Sequence, residues 1–104
     1  MRFYISKQQL KVYFNKTVKT EDVDNMYSVL DNDFDICILD FKKTTYIHYR
    51  DAQKLLACCS IMKRRGIKII FRNMSSDVRN ILNFSKDFID FPVLDRYLKN
   101  ANIS

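Results

Sequence analysis

Apolar residues along this chain follow two alternating periods. Ile36-Cys37-Ile38-Leu39-Asp40-Phe41 and Ile67-Lys68-Ile69-Ile70-Phe71 are short, nearly continuous apolar runs, and between them Ala52, Leu55, Leu56, Cys59 and Met62 recur at three- and four-residue spacing. Runs that are apolar on both sides read as buried strands, and the helical period between them predicts parallel strands joined by a helix over about Arg50 to Arg65. Such a crossover is right-handed in nearly every case, so the helix must cover one face of the sheet. Lys54, Ser60, Lys63 and Arg64 fall off the apolar stripe, and Gly66, the only glycine, stands where a helix needs a left-handed terminal residue.

The flanking segments extend the pattern. Arg2 to Ser6 reads as a short strand, and Leu10, Val12 and Phe14 alternate with Lys11, Tyr13 and Asn15 as a half-buried strand does. Lys7-Gln8-Gln9 between them suits an antiparallel hairpin. From Thr20 the period becomes helical through Val23, Met26, Tyr27 and Leu30, with Thr20 expected as N-cap and Glu21 and Asp22 in the first turn. Asp31-Asn32-Asp33 ends that helix and leads into the Ile36 strand. A third helix is predicted from Ser75-Ser76-Asp77 through Val78, Ile81, Leu82 and Ser85, then an edge strand over Phe88 to Val93, where Pro92 is tolerated, and a closing helix with Leu94, Tyr97 and Leu98. The predicted order is β-β-α-β-α-β-α-β-α: one α/β domain over residues 1–104, with a mixed sheet of about five strands and helices mainly on one face.

Composition narrows the class. With 104 residues, 47% hydrophobic and 29% charged, the chain suits one globular domain. No apolar run approaches the ~18 residues of a spanning helix, and the start lacks a signal-peptide apolar region, so a cytosolic protein is expected. The three cysteines read as small buried hydrophobes, with Cys58 and Cys59 pointing in different directions; the single His48 with no Cys-x-x-Cys supplies no metal set. The triplets starting at Asn15, Asn73 and Asn102 match the glycosylation pattern but carry no weight without secretion.

Charge is uneven. Residues 42–72 hold Lys42, Lys43, Arg50, Lys54, Lys63, Arg64, Arg65, Lys68 and Arg72 against Asp51 alone, a segment of +8 in a chain of +6. A solvated helix face and attraction to an acidic partner surface both account for it.

The element order and the string Ile38-Leu39-Asp40-Phe41-Lys42-Lys43-Thr44-Thr45-Tyr46-Ile47, continued by Arg64-Arg65-Gly66-Ile67-Lys68-Ile69-Ile70-Phe71 and Asn73-Met74-Ser75-Ser76-Asp77-Val78, resemble the STAS domain. That family comprises bacterial anti-sigma-factor antagonists and the cytosolic tails of sulfate transporters. The likeness covers nearly the whole chain and lies in the order and spacing of individually weak motifs. The family's Asp-Ser-Ser-Gly loop falls on His48-Tyr49-Arg50-Asp51, so its phosphorylated second serine corresponds to Arg50 and its glycine to Asp51. What the resemblance implies is therefore the fold and a docking surface without the usual serine phospho-switch. Arg50 is also a cation in a first helical turn, which the helix dipole disfavours. It either serves a function or extends into solvent or toward Asp51 or Asp40.

Three function classes follow. The first is a non-catalytic regulatory module docking an acidic partner protein through His48, Tyr49, Arg50, Asp51 and Lys54, with a secondary basic patch at Lys63, Arg64 and Arg65. The resemblance suggests two forms of it: a divergent antagonist facing an anti-sigma-type kinase, and an accessory subunit gripping the ATPase of a lipid-trafficking ABC transporter. The alternative is a small nucleic-acid-binding domain, because Tyr46, Tyr49 and Phe71 interleave with Lys and Arg, although Phe71 lies in a buried strand. An enzyme is disfavoured, with one histidine, no glycine-rich phosphate loop and no nucleophile in a recognisable setting. No cofactor is expected.

Overall fold

The computed structural model describes residues 1–86. Its elements are β1 (Arg2–Ser6), β2 (Gln9–Tyr13), α1 (Thr20–Ser28), β3 (Ile36–Asp40), α2 (Tyr49–Arg64), β4 (Lys68–Arg72) and α3 (Ser76–Lys86). The strands form one sheet in the order β1-β2-β3-β4; β1 is antiparallel to β2, and the pairs β2–β3 and β3–β4 are parallel. The predicted crossover is therefore present twice, through α1 and through α2, with β3 shared. The described residues supply four strands where about five are expected. The predicted strand over Phe88 to Val93 and the helix at Leu94, Tyr97 and Leu98 lie outside them.

The hairpin turns on two residues, Lys7 and Gln8, both left-handed at φ 52° and 62°. A two-residue link of this hand matches the twist of paired strands. Gln9, expected in the link, is instead the first residue of β2.

Register explains which side chains make the core. Val12, Leu39 and Phe71 form one row across β2, β3 and β4, and Leu10, Cys37 and Ile69 form another. All six are buried in one cluster with Ala52, Leu55, Leu56, Cys59 and Met62 of α2, as the helical spacing predicts. Ile38, one residue out of phase, is buried on the opposite face and lies outside that cluster. Phe14, Phe41 and Phe71 stack at the carboxyl end of the core, with ring centroids 5.0 and 6.3 Å apart.

Cys58 lies off the apolar stripe yet is as buried as Cys59. The reason is that α2 packs against both α1 and α3 as well as β4, so three of its sides are covered. Burial pushes the Cys58 thiol up to about 12 and raises Cys37 and Cys59 as well. All three are free thiols held protonated at neutral pH.

Helix ends follow local chemistry, with one correction. Lys19, not Thr20, is the N-cap of α1: its backbone N–H donates to Asp22 Oδ2 at 2.9 Å, the reciprocal half of a capping box. Thr20 is the first helical residue, which leaves its hydroxyl available elsewhere. Of the two serines that open the third helix, Ser75 is the cap of α3, its Oγ accepting from Val78 N–H at 3.1 Å. At the end of α2, Gly66 takes φ 83°, Gly66 N–H donates to the Lys63 carbonyl at 2.9 Å and Ile67 N–H to the Met62 carbonyl at 3.0 Å. These two bonds make a Schellman motif, closing the helix one residue earlier than predicted.

Candidate functional site

The β3–α2 loop is tied down residue by residue. Thr44 is buried and its Oγ1 donates to the Asn15 carbonyl at 2.8 Å, while Thr45 N–H donates to the Lys16 carbonyl at 2.9 Å. Tyr46 forms an isolated parallel bridge with Thr17. The next residue, Ile47, is fully buried. Between the buried Thr44 and Ile47, the Tyr46 side chain is displayed outward at 56% exposure. A loop ordered before binding loses little entropy on docking, which is what a recognition surface needs.

His48 ends the loop and starts the helix. It is the N-cap of α2, with Nδ1 accepting the Arg50 backbone N–H at 3.2 Å. Its ring stacks on Tyr49 with centroids 4.8 Å apart. Histidine is an unusual cap, so residue type alone did not reveal the role; only its place before the apolar stripe could have. His48→Ala is expected to lower unfolding free energy by about 0.5–2 kcal/mol, and His48→Asn to retain most of it. Denaturant unfolding of both variants checks this, and an unchanged His48→Ala midpoint would show that the bond contributes nothing.

Asp51 and Arg50 divide the remaining work. Asp51 is half-buried and its Oδ1 accepts from Thr20 Oγ1 at 2.8 Å, linking the first turns of α1 and α2. This contact is open because Thr20 is not a cap, and no local sequence signal pairs the two. Arg50 therefore meets neither Asp51 nor Asp40: it is exposed, its Nε donates to the Tyr49 hydroxyl at 3.4 Å, and its guanidinium lies 6.0 Å from the Tyr49 ring centroid. Lys54 is exposed one turn on, on the same helix face as Arg50. The structure thus brings Tyr46, His48, Tyr49, Arg50 and Lys54 to one exposed end of α2, with Asp51 behind them as a brace.

The second predicted patch is elsewhere. Lys63, Arg64 and Arg65 sit at the other end of α2, roughly 20 Å away at 1.5 Å per residue. Arg65 donates from a guanidinium nitrogen to the Leu30 carbonyl at 3.0 Å, fastening α2 to the segment after α1. Among the described residues, no group of three or more His, Cys, Asp or Glu is placed to hold a metal ion, and no helix is long and apolar enough to cross a membrane.

No protein-family model matches the sequence, and no curated protein matches it. Solved structures do. The anti-sigma factor antagonist SpoIIAA in its unphosphorylated form superposes with a TM-score of 0.67 over 97% of this chain and 98% of its own, at 12% identity. The STAS domain of a SulP transporter from Vibrio cholerae gives 0.61 over 91% of this chain and 81% of its own, at 18% identity. SLC26A9 gives 0.58 at 13% identity over 92% of this chain, which corresponds to 18% of that longer protein. Backbone agreement over nearly the full length at such low identity concerns the fold, and the two crossovers and the mixed sheet have the architecture of a STAS domain.

Proposed function

We propose that this chain is a non-catalytic, regulatory protein-interaction module that docks an acidic partner through the β3–α2 loop and the first turns of α2. The observation that carries the reading is Arg50, exposed beside Tyr49 on a pre-ordered loop, at the position that the family resemblance aligns with a phosphoserine. A phosphoserine alternates between states; an arginine is a permanent cation. Docking would then be constitutive, with Tyr46 and Tyr49 as apolar anchors and Arg50 and Lys54 steering the approach.

The fold serves in an anti-sigma factor antagonist and in a transporter domain. Two partner classes follow, an anti-sigma-type kinase and the ATPase of a lipid-trafficking ABC transporter. Which of them is retained by the immobilised full chain separates the two forms. The same partner should be released by an Arg50→Glu chain, and equal retention by both chains would refute docking at this end of α2.

A further inference from the structure

A second concentration of charge lies on the other side of the sheet from the helices. The register places Arg2, Tyr13, Asp40 and Arg72 in one row across all four strands, out of phase with the buried rows. Lys42 and Lys43 follow just beyond the end of β3, and together these six residues line a cleft of about 420 Å3 at the carboxyl ends of the parallel strands.

Four cations face one carboxylate here, and among the described residues none of the four makes an ion pair. Asp40 is engaged otherwise. Its Oδ1 accepts from Lys42 N–H at 2.9 Å, and both its oxygens lie within 3.3 Å of Asn73 Nδ2. Asn73 is held left-handed at φ 59°, an uncommon conformation that turns its amide onto this carboxylate. The carboxylate thus fixes the two chain segments that leave β3 and β4, and it forms no ion pair with the four cations. Burial and the adjoining Tyr4 raise the Tyr13 phenol above its usual value.

We propose that this cleft binds a small phosphomonoester, its phosphate among Arg2, Lys42, Lys43 and Arg72 and its organic body beside the Tyr13 ring. A phosphomonoester carries about −1.5 to −2 charge at neutral pH. Guanidinium forks and ammonium groups together suit its three oxygens better than the two of a carboxylate. The cleft falls in the size range of small-molecule sites and exceeds what a bare phosphate fills. Lys42 and Lys43 open the β3–α2 loop, whereas Arg50 lies past its end on α2 and does not line the cleft.

The test is a titration of the full chain with phenyl phosphate at low salt, followed by amide chemical shifts. Saturable shifts at residues 13–15, 40–43 and 72–73 are expected, with affinity falling about tenfold, the size of one charge-assisted hydrogen bond, in Arg72→Gln and in Lys42→Gln. Lys68→Gln removes the same charge at the opposite end of β4 and should bind as the parent does. Absence of saturation, or equal weakening by Lys68→Gln, would overturn the site as diffuse electrostatics. Benzoate binding as tightly as phenyl phosphate would overturn the phosphate assignment, and tighter binding of a phosphoserine peptide would overturn the small-molecule source.

Discussion

Leu56→Ala is expected to lower the free energy of unfolding by about 2–5 kcal/mol. Leu56 is fully buried on α2, in the one cluster that joins the sheet rows to the helices. Truncation removes its transfer free energy and leaves a cavity that packed neighbours on three sides of α2 can close only in part. A small domain holds about 5–15 kcal/mol in all, so the variant should unfold at a much lower denaturant concentration. Arg64→Ala, on an exposed position of the same helix, should change stability by under about 0.5 kcal/mol. Urea unfolding followed by circular dichroism compares them, and equal midpoint shifts would mean that the buried face of α2 is misassigned.

Arg50→Glu should weaken partner binding on the order of tenfold or more at low salt, with a smaller loss as salt rises. The side chain is exposed and makes no ion pair among the described residues, so its charge is available to a partner. Reversal turns attraction into repulsion at a separation that salt screens over about 8–10 Å. Stability gives an internal control. A glutamate in the first turn of α2 is favoured by the helix dipole, so lost binding cannot be ascribed to lost folding. Arg50→Ser should act in the same direction and by less. If both variants bind as the parent does at every salt concentration, the docking contact lies elsewhere, and Lys63, Arg64 and Arg65 become the next positions to reverse.

Much of the fold was legible in the sequence because the core is periodic. The apolar spacing of Ala52 to Met62 placed α2 and its buried face, and the Ile-rich runs placed β3 and β4 as parallel neighbours. Gly66 marked the end of α2 because a single glycine after a helical stripe has few other uses. What was not legible depends on residues far apart in the chain. Thr20 meets Asp51 across 31 positions and Thr44 meets Asn15 across 29, through single side-chain bonds that leave no period behind. Thr20 was misread as a cap because its residue type is the favoured one, whereas Lys19 supplies only backbone atoms to the capping box. Cys58 is buried through the flanking helices, which the stripe on α2 alone does not encode.

The candidate site divides in the same way. Its position after β3 was readable from motif order, and the exposure of Tyr49, Arg50 and Lys54 follows from helical phase. The cleft cations were visible as a charge excess, yet Arg2 joins Lys42, Lys43 and Arg72 only through strand pairing. Local sequence carries no trace of that.

Docking through the β3–α2 loop is tested most directly by hydrogen exchange of the full chain, alone and bound to its recovered partner. The account predicts slowed exchange over residues 44–57, with residues 62–68 unchanged. Slowing confined to residues 62–68, with the β3–α2 loop exchanging as it does in the free protein, would contradict it.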